Sequence, residues 1–256
     1  MLSKSKIKFI HSLALRKNRT ERRVFLAEGP KLVGDLLGKD KAMLLLATKE
    51  WLDRRHENGC LSEEIVEVDE DELSKASLQK HPQQVIAVFC QKKREITPQT
   101  LRGRLSLMLD GVQDPGNLGT IVRIADWFGI ENVICSHETA DIYNPKAIQA
   151  TMGSIARVNV FYTDIVRLTD MLPELFPVYG TLLDGKDIYA QKLTTEGIIV
   201  MGNEGNGLSE NMRKKVNRSL YIPNFPLGRK TADSLNVAIA TSVICSEFRR
   251  QQSCIK

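Results

Sequence analysis

The chain has 256 residues, 42% of them hydrophobic and 26% charged, with a formal net charge of +5. This composition suits a folded protein with room for two compact domains. No apolar run approaches the roughly 20 residues that span a bilayer, and the start Met1-Leu2-Ser3-Lys4-Ser5-Lys6 is unlike a secretory signal. A cytoplasmic protein with no membrane partner is expected. Cys60, Cys90, Cys135, Cys245 and Cys254 are scattered without a Cys-x-x-Cys pair, and the four histidines do not fall at ligand spacing. Reduced thiols and no metal site follow.

In chain order, residues 5–23 read as one helix, with Ile7, Ile10, Leu13 and Ala14 on one side and basic residues elsewhere. Val24-Phe25-Leu26-Ala27 is strand-like, and Gly29-Pro30 punctuates it before a helix from Lys31 to Leu37. Apolar runs at 42–47, 64–68 and 85–89 predict further strands, separated by helical segments near 50–57 and 70–77. Residues 1–31 hold nine cations against Glu21 and Glu28, a balance of +7, so the rest of the chain carries −2. Such a stretch is either a phosphate-facing surface or a solvated charged helix. Aromatic residues are only 6% of the chain, which gives little support to a base-stacking platform.

The polar segment Gln91–Gln99, with Pro98, is the linker candidate, dividing the chain into 1–98 and 99–256. Beyond it, strand-like runs at 105–109, 131–135, 157–162, 177–183, 197–202 and 219–223 alternate with helical segments. That alternation predicts a parallel sheet covered on both faces, hence an α/β fold.

Three segments carry the chemistry. Asp110-Gly111-Val112-Gln113-Asp114-Pro115-Gly116-Asn117 ends a strand in turn residues and opens a helix. It reads as a plain strand-to-helix turn capped by Asn117, or as a ligand loop. Arg123 lies in an almost continuously apolar stretch of that helix, where a buried guanidinium needs a partner, so it is either functional or a structural ion pair or snorkelling residue. Met201-Gly202-Asn203-Glu204-Gly205-Asn206-Gly207 ends another strand in a glycine loop that permits close backbone approach to a ligand. Its Gly-x-x-Gly-x-Gly spacing is not that of a dinucleotide fingerprint, and no acid follows at a second strand end. Ser234-Leu235-Asn236 places capping-type residues ahead of an apolar helix reaching about Arg249.

Occurring together and in this order, the three segments resemble the motifs of the SpoU (TrmH) family of RNA ribose 2′-O-methyltransferases, in the SPOUT superfamily, across about residues 104–248. The resemblance implies an α/β domain with a C-terminal trefoil knot, S-adenosylmethionine as cofactor, and a homodimer. Position by position it implies Arg123 as the catalytic arginine, with Asn117, Glu204, Ser234 and Asn236 around it. It implies cofactor contacts at Met201, Gly202, Gly205, Ile222 and Leu235, with Thr181 and Leu182 nearer the adenosine. Pro145–Ser154 is similar to another family segment but has Gln149 where many members have arginine, and 224–233 is longer than the usual short loop. The N-terminal part resembles the family's small ribosomal-protein-like α/β substrate domain, which implies RNA contacts at Arg19, Arg22, Arg23 and Lys31. Ribosomal RNA is favoured slightly over transfer RNA because that extra domain is present. The rival readings are a non-catalytic RNA-binding or ribosome-assembly protein and a nicotinamide-dependent dehydrogenase. The latter lacks the right glycine spacing and any obvious hydride-relay histidine.

Overall fold

The computed structural model describes residues 2–54, 62–226, 229 and 232–253. Cys60, Cys254 and part of the 224–233 insertion lie outside them. In chain order the elements begin α1 (Lys4–Ser12), α2 (Arg16–Arg22), β1 (Val24–Glu28), α3 (Pro30–Leu37), β2 (Ala42–Ala47), α4 (Lys49–Asp53), β3 (Ser62–Glu67), α5 (Glu70–Ala76) and β4 (Val85–Cys90). They continue α6 (Pro98–Leu101), β5 (Leu105–Asp110), α7 (Pro115–Trp127), β6 (Asn132–Cys135), α8 (Pro145–Ala150), β7 (Asn159–Tyr162) and α9 (Ile165–Asp170). The last are β8 (Val178–Asp187), β9 (Gly197–Gly202), α10 (Glu210–Arg213), β10 (Arg218–Tyr221) and α11 (Val237–Ser253). Among the described residues no helix is long and apolar enough to cross a membrane.

The chain forms two compact units, one of Met1–Lys93 with Asp141–Ala156, the other of Arg94–Ala140 with Arg157–Lys256. The division at 98/99 drawn from the sequence differs from these units chiefly in the stretch 141–156, which packs with the first.

The first unit is built on a four-stranded sheet in the order β1-β4-β2-β3. Side chains alternate across a strand, so Phe25, Leu45 and Ala87 face a core completed by Leu32, Val33 and Leu36 of α3 and Ile148 of α8. Leu26, Leu46 and Val88 face the opposite core, completed by Ile10, Leu13 and Leu73. The helix expected over 5–23 is interrupted: α1 ends at Ser12, α2 begins at Arg16, and Leu15 between them is extended. The break leaves the Leu13 and Ala14 carbonyls free, and the Arg19 guanidinium donates to both at 2.8 Å.

The second unit is a six-stranded sheet in the order β10-β8-β9-β5-β6-β7, with every described pairing parallel, as expected. From β5 the chain steps outward to β6 and β7, whereas β9 lies on β5's other side. The strand order therefore reverses between β5 and β9. Crevices at the carboxyl ends of strands beside such a reversal are where open α/β sheets bind ligands.

Candidate active site

β5 and β9 run in register from Leu105↔Gly197 to Asp110↔Gly202, so both strands end at the same level. Their loops, 111–114 and 203–209, leave the sheet side by side. Asp114 caps α7, its carboxylate accepting the Asn117 N–H at 2.9 Å, and Pro115 follows in the first turn. The cap is therefore Asp114, and Asn117, expected to serve as the cap, sits in the first turn with its side chain free for other work. Asn236, by contrast, does cap α11: its Oδ1 accepts the N–H groups of Ala238 and Ile239 at 3.0 and 3.3 Å.

Three of the five expected catalytic residues form one hydrogen-bonded chain. The Asn236 amide donates to Asn117 Oδ1 at 3.1 Å, and Asn117 Nδ2 donates to Glu204 Oε1 at 3.0 Å. The other carboxylate oxygen, Oε2, accepts the Gln113 N–H at 3.3 Å. The chain has a defined polarity, because a carboxylate only accepts and each amide must then present its donor toward it. Residues separated by 87 and 119 positions meet here.

Arg123 and Ser234 stand outside that chain and are exposed. Of the readings open for Arg123, the pitch of α7 favours a solvent-facing side chain over a buried ion pair. Leu118, Ile121, Val122 and Ala125 take the buried face, which leaves Thr120, Arg123 and Trp127 on the solvent side, with Trp127 84% exposed. A hydrated guanidinium carries no burial penalty and remains available to a substrate.

The expected cofactor residues lie at the same edge of the sheet. Gly202 ends β9; a side chain there would collide with the Gly207 backbone, so the loop closes on itself only because this position is glycine. Gly207, at φ 69°, occupies the left-handed region and pairs with Asn203 across the loop. The Gly205 N–H is held by Asn203 Oδ1. Thr181 Oγ1 donates to Val200 O at 3.1 Å, tying β8 to β9. Leu182 and Ile222 are half-buried and Leu235 is 53% exposed. Met201 is buried, so only its backbone can face a ligand.

Two residues that position this edge were missed. Asp110 accepts the Ser209 N–H at 2.7 Å, and Asn203 donates to Gly111 O at 2.7 Å. The available signals were a carboxylate closing an apolar strand and an amide set between glycines.

In the first unit, Arg22, Arg23 and Lys31 are exposed, as RNA contact requires. The Arg22 guanidinium lies 5.1 Å from the centre of the Phe9 ring, and Lys31 is 3.4 Å from Asp35. Arg19 is corrected: its side chain is 1% exposed and pairs with Asp141 at 2.6 Å. A guanidinium consumed inside the fold cannot meet a phosphate. Gln149, in the variant family segment, accepts the Gln79 amide at 2.9 Å.

Two family models match. The SpoU rRNA Methylase family covers residues 104–246, and the MRM3-like substrate binding domain covers 4–87. The chain is 32% identical to the 23S rRNA (guanosine(2553)-2′-O)-methyltransferase RlmP of Bacillus subtilis, over 95% of this chain and 96% of that one. It is 30% identical to the 23S rRNA (guanosine-2′-O-)-methyltransferase RlmB of Neisseria meningitidis, over 72% of this chain and 75% of that one. Among solved structures, a TrmH-family protein of Porphyromonas gingivalis superposes with a TM-score of 0.85 at 41% identity, covering 98% of this chain and 99% of that chain. An AdoMet-bound rRNA methyltransferase of Sinorhizobium meliloti superposes with a TM-score of 0.83 at 32% identity, covering 98% and 96%.

Proposed function

The chain belongs to the SpoU rRNA methylase family, and from that premise we propose that it methylates a ribose 2′-hydroxyl of structured RNA, ribosomal RNA before transfer RNA, with S-adenosylmethionine as donor. The observation that carries this reading is the hydrogen-bonded chain Glu204–Asn117–Asn236 at the carboxyl ends of β5 and β9. Relatives named as 23S rRNA methyltransferases support ribosomal RNA as the substrate class.

The donor fits the edge formed by Thr181, Leu182, Met201, Gly202, Gly205, Ile222 and Leu235, where a glycine loop and strand ends offer backbone groups at close range. When bound, it supplies a methyl group already activated by its sulfonium. What remains for the protein is alignment of the ribose and management of the hydroxyl proton. A guanidinium holds its proton too tightly to act as a base. Arg123 serves instead as a donor that stabilises charge developing on the ribose oxygen. Glu204, Asn117 and Asn236, locked in one polarity, orient the ribose together with Ser234. The first unit grips RNA through phosphates and shape with Arg22, Arg23 and Lys31.

A second copy of the chain completes the assembly. Trp127, Leu235 and Ile239, at 84%, 53% and 57% exposure, lie on α7 and around the start of α11, two helices that pack together beside Arg123. Exposed apolar groups so placed support this reading. The enzyme and its RNA share the cytoplasm.

The test is transfer of label from S-adenosylmethionine to ribosomal and transfer RNA pools separately, with Arg123→Ala as control. Label in the ribosomal pool, reduced about 10²- to 10³-fold in Arg123→Ala with cofactor binding intact, is expected. Near-normal turnover by Arg123→Ala would remove it from the mechanism. Absence of both cofactor binding and transfer would leave a non-catalytic RNA-binding protein.

A further inference from the structure

We propose that Asn203 is a positioning residue for methyl transfer: its side chain ties the loop carrying Gln113, which leads into α7 and Asn117, to the loop carrying Glu204, and thereby aims the Glu204 carboxylate. The proposal rests on the methyltransferase reading above.

The two ends of the Asn203 amide serve different loops. Oδ1 accepts the N–H groups of Gly205 and Asn206, at 2.9 and 3.0 Å, which shapes its own loop. Nδ2 donates to Gly111 O at 2.7 Å, across to the other loop. The opposite amide orientation would set donor against donor and acceptor against acceptor, so the hydrogen-bond pattern itself assigns oxygen and nitrogen. The Asn203 backbone is also held, by reciprocal bonds with Gly207 at 2.8 and 3.0 Å.

Gly111 is anchored in turn, its N–H donating to Ser136 Oγ at 3.1 Å. Glu204, next along the chain from Asn203, bonds to Gln113 N and Asn117 Nδ2. A closed ring results: Gly111 to Asn203, one residue on to Glu204, across to Gln113, and two residues back to Gly111. The Glu204 contacts in this ring are solvent-exposed, whereas the Asn203 bond to Gly111 is partly buried. Bonds open to water hold geometry weakly, so the sheltered Asn203 bond is the strut that keeps the ring in register.

Asn203→Asp separates the two roles. It keeps the shape and the acceptors for Gly205 and Asn206, loses the donor to Gly111, and sets oxygen against oxygen there. Asn203→Ala removes both roles. A misplacement near 1 Å at a reacting centre costs on the order of 10²-fold. We therefore expect Asn203→Asp to bind S-adenosylmethionine within about threefold of native and to lose about 10- to 100-fold in kcat, with KM for the cofactor little changed. Asn203→Ala should lose cofactor affinity as well. In a Glu204→Gln background, Asn203→Asp should cost little more, because both changes act on the same carboxylate. A kcat for Asn203→Asp within about twofold of native, or a loss of cofactor affinity matching that of Asn203→Ala, overturns the proposal. Hydrogen exchange provides a readout independent of turnover: amides across 111–117 should exchange faster in Asn203→Asp while Gly205 and Asn206 stay protected. Unchanged exchange across 111–117 overturns the proposal whether or not RNA is methylated. Failure of the native protein to transfer label, with the exchange pattern as expected, overturns the methyltransferase reading alone.

Discussion

Replacing Asp141 with alanine should destabilise the first unit by about 3 kcal/mol. Arg19 is held with a side-chain exposure of 1%, and its charge is balanced by Asp141 at 2.6 Å, itself 17% exposed. Among the described residues, the guanidinium without Asp141 keeps the neutral carbonyls of Leu13 and Ala14, each at 2.8 Å. Removing one partner of a buried pair costs about 3–5 kcal/mol, and the partial exposure of Asp141 favours the lower end. At about 4 °C per kcal/mol for a unit of this size, it should melt roughly 12 °C lower. The two tryptophans make the assay local. Trp51 is buried in the core that includes Ile148, whereas Trp127 is 84% exposed and can be replaced by phenylalanine as a background. Urea titration followed by Trp51 fluorescence then reports the first unit alone. A cost below about 1 kcal/mol for Asp141→Ala would refute the buried-charge account. By the same logic a fragment ending at residue 98, lacking Asp141 and Ile148, should fail to unfold cooperatively.

Three further outcomes are expected. The slope of log RNA affinity against log salt should flatten by about one for Arg22→Ala or Arg23→Ala, while Arg19→Ala, whose side chain meets no solvent, should leave the slope unchanged; equal slopes in all three would remove Arg22 and Arg23 from the contact. Gly202→Ala forces a methyl group to 2.6 Å from Leu208 N and into the Gly207 backbone, so it should cost about 1–3 kcal/mol and weaken cofactor binding at least about tenfold, equivalent to about 1.4 kcal/mol, as read by calorimetry. Burial pushes the Cys245 thiol up to about 12 and raises that of Cys135 as well, so at pH 8 both should resist iodoacetamide in the native protein while exposed Cys90 reacts; native-state labelling of Cys245, read by mass spectrometry, would mean that α11 is not packed as described.

Much of the fold was legible because its signals are local. The runs at 105–109 and 197–202 are continuous apolar segments closed by turn residues, and they became β5 and β9. Misreadings arose where a local signal had two outcomes. A run of apolar neighbours around Arg123 suggested burial, but a helix turns 100° per residue, and the pitch of α7 carries Arg123 to the solvent side. Asp114 and Asn117 are both capping-type residues, and only backbone geometry chose between them. The stretch 5–23 holds two helices rather than one, and within it Arg19 meets a carboxylate 122 residues away, a partner no local window contains.

By itself, the sequence determined the strands, the turn chemistry at their ends and the parallel pairing of the second sheet, encoded by periodicity and nearest neighbours, while the chemistry came from the resemblance of three motifs to a known family. Tertiary structure decided which side chains meet: that Glu204 reaches Asn117, that Asn117 reaches Asn236, that Asn203 spans to Gly111, and that Arg19 turns inward. The contacts at the ends of β5 and β9 depend on strand order and register, which place β9 beside β5 with Gly202 level with Asp110. Strand order is set by the packing of the whole sheet, so no stretch of chain shorter than the sheet contains it.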